Sequence, residues 1–127
     1  MGAIAHPLLP YWPTDLTAEK RLGTGRRYVD FSIRQLAWQF DQLDVSREEV
    51  HLRVFGGAEV VGIAAAAKPA MGKPNSEAVI QVLEAEGCKI IASSLGGNLG
   101  RQLQFHTGTG EVACRRVSRT ARFLPIE

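Results

Sequence analysis

The chain has 127 residues, 45% hydrophobic and 22% charged, the balance of a soluble folded domain with a single core of its own. Two cysteines exclude a disulfide framework, and no apolar run is long enough to span a bilayer. The start, Met1 to Pro7, lacks the basic residues and apolar stretch of a secretory signal, so a cytoplasmic location and no membrane insertion are expected.

The net charge of +2 is unevenly spread: 6 basic and 7 acidic residues up to Val50, then 9 basic and 6 acidic from His51 onward. The late excess sits in Arg115, Arg116, Arg119 and Arg122. No aromatic residues interleave with these arginines and no recognition motif accompanies them, so no nucleic-acid partner is expected.

In chain order, Gly2 to His6 reads as a short apolar strand without a lead-in. Leu8 to Gly25 is loop, because Pro7, Pro10 and Pro13 forbid a helix and Gly23 and Gly25 mark turns. From Arg27 to Leu43, Val29, Ile33, Leu36, Ala37, Phe40 and Leu43 fall three and four apart and predict a helix. Asp30, Arg34 and Asp41 are expected on its wet face, with Phe31 and Trp38 off the main stripe. A charged turn, Asp44 to Glu49, offers Asp44 or Ser46 as the cap of a short helical turn.

His51 to Phe55 alternates as a strand and stops at Gly56-Gly57, whereas Ala58 to Met71 is alanine-rich and ambiguous. A second helix is predicted from Asn75 to Glu86, capped by Asn75 or Ser76, stopped by Gly87, and burying Ala78, Val79, Val82 and Leu83. Lys89 to Ala92 is a strand, followed by a Gly-rich turn. Arg101 to Phe105 and Glu111 to Val117 form a hairpin across Thr107-Gly108-Thr109-Gly110, and Ser118 to Glu127 is an irregular tail. The order predicts a layered α/β (α+β) single domain spanning residues 1–127, with two main helices and mixed strand directions.

Several site types fail on spacing. Gly72-Lys73 is followed by Pro74 where a phosphate loop needs a hydroxyl, and Gly96-Gly97-x-x-Gly100 is no dinucleotide fingerprint. His6, His51 and His106 do not fall at metal-ligand spacings, so neither a metal nor a cofactor is expected. His6 is the one ionisable group of its apolar segment, either a structural histidine or a general base beside a thiol. Cys88 and Cys114 read as half-buried, inert small hydrophobes.

Taken together, five short motifs carry a resemblance. Gly2-Ala3-Ile4-Ala5-His6-Pro7-Leu8-Leu9-Pro10, Tyr28-Val29-Asp30, Val54-Phe55-Gly56-Gly57-Ala58, Gly72 with Asn75, and Leu95-Gly96-Gly97-x-x-Gly100-Arg101 with Phe105, Thr109-Gly110 and Val112 stand in the order of the CheD family of chemoreceptor glutamine deamidases. The resemblance runs from Gly2 to about Val117. It implies a fold related to glutamine-deamidating toxin domains and a protein-glutamine amidohydrolase of chemotaxis. Such an enzyme converts receptor glutamines to glutamates through a Cys-His thioester mechanism. The partners implied are chemoreceptor cytoplasmic helices and, in many members, a CheC-type phosphatase.

Carried over residue by residue, His6 alone lands on a catalytic position, as general base. The family's nucleophilic cysteine lies on a segment preceding this strand, and that segment is not in the sequence. Pro74 stands where the family has arginine, and Ala64 to Ala67 replace bulkier residues. Two accounts follow: an ordinary deamidase whose N-terminal segment is missing here, or a catalytically inactive module that still binds receptors or a phosphatase. The first is preferred because a domain does not normally begin inside its own core strand. On either account these 127 residues are expected not to deamidate.

Overall fold

The structure, a computed structural model, describes residues 1–13, 25–59 and 71–117 and the backbone of 123–125. Two helices, α1 (Val29–Gln42) and α2 (Gly72–Ala85), alternate with strands β1 (Leu52–Gly56) and β2 (Ile90–Leu95). Three further strands follow, β3 (Gly100–Phe105), β4 (Val112–Val117) and β5 (Phe123–Pro125). β1 and β2 pair in parallel around α2, and β3, β4 and β5 form an antiparallel sheet in that order. Both strand directions and the two main helices are therefore present as expected, with the parallel and antiparallel pairings in separate sheets.

The apolar spacing of the helices decides the core. Val29 and Ala37 of α1 and Ala78, Val82 and Leu83 of α2 are the buried hydrophobic residues among those described, and the two helices pack on each other through them. Phe31 lies off the stripe and meets Trp12 edge-on, with ring centroids 4.5 Å apart at 75°, whereas Trp38 stays 60% exposed.

Helix ends explain most of the local geometry. At the end of α1 Asp44 adopts φ 57°, and the Asp44 and Val45 amides donate back to Asp41 and Phe40 carbonyls. Gly87 at φ 72° closes α2 in the same way, its own amide and that of Cys88 donating to Glu84 and Leu83. Asp44 thus terminates α1, and Ser46 opens the next turn, Arg47–Glu49, where its amide donates to the Glu49 carboxylate at 3.0 Å. Arg47 then joins both helix C-termini. It pairs with Asp41 at 2.6 Å and donates to the carbonyls of Ala37 and Glu86, placing a cation where two helix dipoles are negative. This partner holds the exposed Asp41 carboxyl below the usual carboxylate value.

Four features depart from the sequence reading. Gly2 to His6 forms no strand; it passes the end of β3, where a Cβ on Gly2 would stand 2.7 Å from the Phe105 ring. The next residues cap α1 instead of entering a sheet: Val29 and Asp30 amides donate to the Leu9 and Pro10 carbonyls, and Leu8 and Leu9 amides to Arg27. Asp30, expected on the wet face, is only 8% exposed. Its position in the first turn puts the carboxylate among free amides, and it accepts from Phe31 at 2.8 Å and Trp12 at 2.9 Å. Asp30→Ala is expected to destabilise the fold by roughly 1–2 kcal/mol in urea unfolding, since Tyr28 supplies no side-chain cap to replace it.

α2 begins at Gly72, three residues before the expected start, because a first-turn amide has no intrahelical acceptor and Pro74 loses nothing there. Finally, Phe123–Pro125 pairs with β4 inside the stretch expected to be an irregular tail. Most of the ambiguous Ala58 to Met71 stretch, including Ala64 to Ala67, and most of the loop after Pro13 lie outside the described residues.

Candidate functional site

Parallel strands β1 and β2 end side by side at Gly56 and Leu95, and α2 starts beside them. The crevice outside the carboxyl ends of parallel strands is where α/β units place their chemistry. Two glycine turns bind each other across it: the Gly96 amide donates to Gly56 O at 2.8 Å and the Glu59 amide to Gly97 O at 2.9 Å. Gly57 and Gly72 sit so close that a Cβ on Gly72 would stand 2.6 Å from the Ala58 carbonyl oxygen and nearer still to that of Gly57.

The N-terminal segment is clamped to this corner. Leu8 has both backbone groups engaged, its amide on Arg27 O at 2.8 Å and its carbonyl accepting from Asn75 Nδ2 at 3.0 Å. Asn75 is therefore no helix cap but a clasp on the segment that carries His6, and its Oδ1 is buried with no hydrogen-bond partner among the described residues. Three residues beyond Leu8, the Tyr11 hydroxyl donates to the Gln81 side-chain oxygen. A shallow groove of about 350 Å³ runs along α2 beside the end of β2, lined by Ser76, Glu77, Ile80, Gln81 and Leu95.

His6 is exposed, two residues from the Leu8 clamp, and forms no hydrogen bond among the described residues. Its ring is open to solvent and not sealed in the core. The other histidines serve elsewhere. His51 stands exposed at the opposite end of β1, and His106 builds the β3–β4 turn, with Nδ1 accepting from the Thr109 amide at 3.3 Å.

Neither cysteine joins His6 as an activated thiol. Cys88 opens β2 beyond the C-terminus of α2, whereas the Leu8 clamp holds the N-terminus of that helix, some 15 Å away from Asn75 to Ala85 at 1.5 Å per residue. Burial raises the Cys88 thiol pKa, outweighing the nearby Arg47. Cys114 lies within the β3–β4 hairpin opposite Leu103, and burial raises it too, against the pull of Arg101 and Arg116. A raised thiol holds less thiolate at a given pH. Both cysteines should therefore alkylate several-fold more slowly at neutral pH in the native protein than in urea, as followed by iodoacetamide labelling and mass spectrometry.

Arg101 is the site residue whose role the sequence did not reveal. Its Nη1 donates to Gly56 O at 3.0 Å and its Nε to Ser94 Oγ at 3.2 Å, tying β3 to the ends of β1 and β2. The only signal was its place at the end of the Gly-x-x-Gly-Arg run; the contact joins residues 45 positions apart.

The family profile described as CheD chemotactic sensory transduction matches residues 8–116. The chain belongs to the CheD family. Among its relatives, a probable chemoreceptor glutamine deamidase CheD 2 of Geobacter sulfurreducens is 38% identical over 119 residues, 94% of this chain and 69% of that protein. Probable chemoreceptor glutamine deamidases CheD of Maridesulfovibrio salexigens and Nitratidesulfovibrio vulgaris are each 32% identical, over 96 and 128 residues. The chain spans 56% and 63% of those two CheD proteins. Within the matched stretch, Tyr28-Val29-Asp30 opens α1 with Val29 and Asp30 buried, and Gly57 with Gly72 forms the corner where strand and helix meet. Among the described residues no helix is long and apolar enough to cross a membrane.

Proposed function

We propose that this chain carries the histidine-bearing part of a chemoreceptor glutamine deamidase, with His6 as general base. The observation that carries the reading is His6 itself, exposed on a segment clamped beside the carboxyl ends of β1 and β2. In the reaction a cysteine thiolate attacks Cδ of a receptor glutamine, and an oxyanion forms on the amide oxygen. Collapse of this intermediate to a thioester expels ammonia, to which protonated His6 gives a proton. Water then attacks the thioester with His6 taking its proton, releasing glutamate and the thiolate.

The nucleophile in this reading is neither Cys88 nor Cys114, since burial raises both thiols above their ordinary value and so disfavours the thiolate. The 127 residues alone therefore leave receptor glutamines unchanged, while the same chain joined to the cysteine-bearing segment of a deamidase relative converts them. The test is mass spectrometry of a chemoreceptor cytoplasmic fragment incubated with each form, reading a gain of about one dalton per converted site. Conversion by the 127 residues alone would redirect the nucleophile's role to Cys88 or Cys114. The second reading, an inactive module binding chemoreceptor helices or a CheC-type phosphatase in the cytoplasm, draws on the same raised thiols. It is favoured if the joined form binds the receptor fragment without converting it.

A further inference from the structure

Antiparallel pairing sets Arg101 of β3 directly opposite Arg116 of β4. Residues so placed share a face of the sheet with Cβ atoms roughly 4.5–5.5 Å apart, and like charges there are destabilising. Nothing in the described part of the chain relieves them. The ion pairs among the described residues belong to Arg34, Arg47 and Lys73, and Arg101 donates only to the neutral oxygens of Gly56 and Ser94. A guanidinium has five N–H donors in a planar fork, so most of those on Arg101 are unused. Arg101 is half-buried and held in place by its two bonds, and Arg116 beside it is exposed and reachable.

We propose that the Arg101–Arg116 pair is a docking site for a carboxylate of an acidic polypeptide partner. An incoming carboxylate removes the repulsion between the two guanidinium groups and accepts bidentate, charge-assisted hydrogen bonds from the fork. Burial, and then the charge of Arg116, make the cation of Arg101 harder to hold than usual. A nucleic acid fits less well: its affinity comes from a run of phosphate contacts and stacking platforms. Here two cations are followed on the same face by Leu103 and Cys114. Because Arg101 also grips Gly56, a docked carboxylate sits at the edge of the crevice described above and fixes the partner's register against it. The inference is independent of the deamidase reading and holds whether or not His6 is a base.

The experiment uses the 127-residue chain and a fluorescently labelled glutamate-containing peptide, with a glutamine version of the same peptide, at low ionic strength. Anisotropy is expected to show the glutamate peptide binding about tenfold more tightly than the glutamine peptide. Arg116→Gln should remove about tenfold of that affinity. Arg115→Gln, which deletes the same charge from the other face of β4, should stay within about twofold. Equal losses in the two variants would reduce the effect to net charge and overturn the site. So would equal binding of the two peptides, or tighter binding of a short single-stranded oligonucleotide. Arg116 is exposed, so its replacement leaves the fold intact, which the unfolding midpoint checks.

Discussion

Gly72→Ala is expected to destabilise the protein by roughly 3 kcal/mol, a large share of what holds a domain of this size together. In an ordinary helix the substitution has the opposite sign, because alanine is the better helix former by up to about 1 kcal/mol. At Gly72 the added methyl meets the Gly57 and Ala58 carbonyl oxygens, both backbone atoms with no rotamer through which to yield. The clash can be relieved only by moving the β1 turn away from α2. Gly57 reinforces the point from the other side, since it holds φ +66° and a Cβ there would overlap Ser76 Oγ. Gly87→Ala is the control: φ is +72° but the space around it is open, so the loss should be limited to conformational strain of about 1–2 kcal/mol. Urea unfolding of the three proteins measures both differences. A Gly72→Ala protein as stable as the parent would mean that strand turn and helix do not meet as described.

How far this corner was legible in the sequence depends on the range of the interactions that build it. Signals confined to a few neighbouring residues read well. The stripe of Val29, Ala37 and their neighbours placed α1, Gly87 stopped α2, Ser46 opened the turn at Arg47, and Thr107–Gly110 joined β3 to β4. What was not legible depends on tertiary partners. Asp30 looks like any solvent-facing acid until the Trp12 segment folds over the amides of α1. Asn75 has the chemistry of a cap, and only the arrival of Leu8 turns it into a clasp. The apolar pattern of Gly2 to His6 resembles a strand, yet a strand needs a neighbour to complete its ladder, and the described residues supply none. β5 has three residues, too few for alternation to stand out, and is defined by its pairing with Arg115 to Val117.

Replacing His6 by alanine in the form supplied with the nucleophile segment is expected to lower the rate of receptor deamidation by about 10²–10⁴-fold, the usual contribution of a positioned general base. Affinity for the receptor fragment should stay the same, because a general base acts on the proton inventory of the amide and the attacking water and not on the docking surface. No other histidine can take its place. His51 is at the amino end of β1, about 16 Å from Gly56 at 3.3 Å per strand residue, and His106 is held by the Thr109 amide in the hairpin turn. Asn75→Ala should give a smaller loss through the same channel. It releases the Leu8 carbonyl and leaves the histidine in place but less well held, so turnover falls while receptor affinity does not. Quenched-flow or mass-resolved rates alongside equilibrium binding separate the two quantities. An His6→Ala protein that keeps its rate would remove the general base from this residue. One that loses receptor affinity in proportion would make His6 part of the docking surface and leave the proton transfer to be found elsewhere.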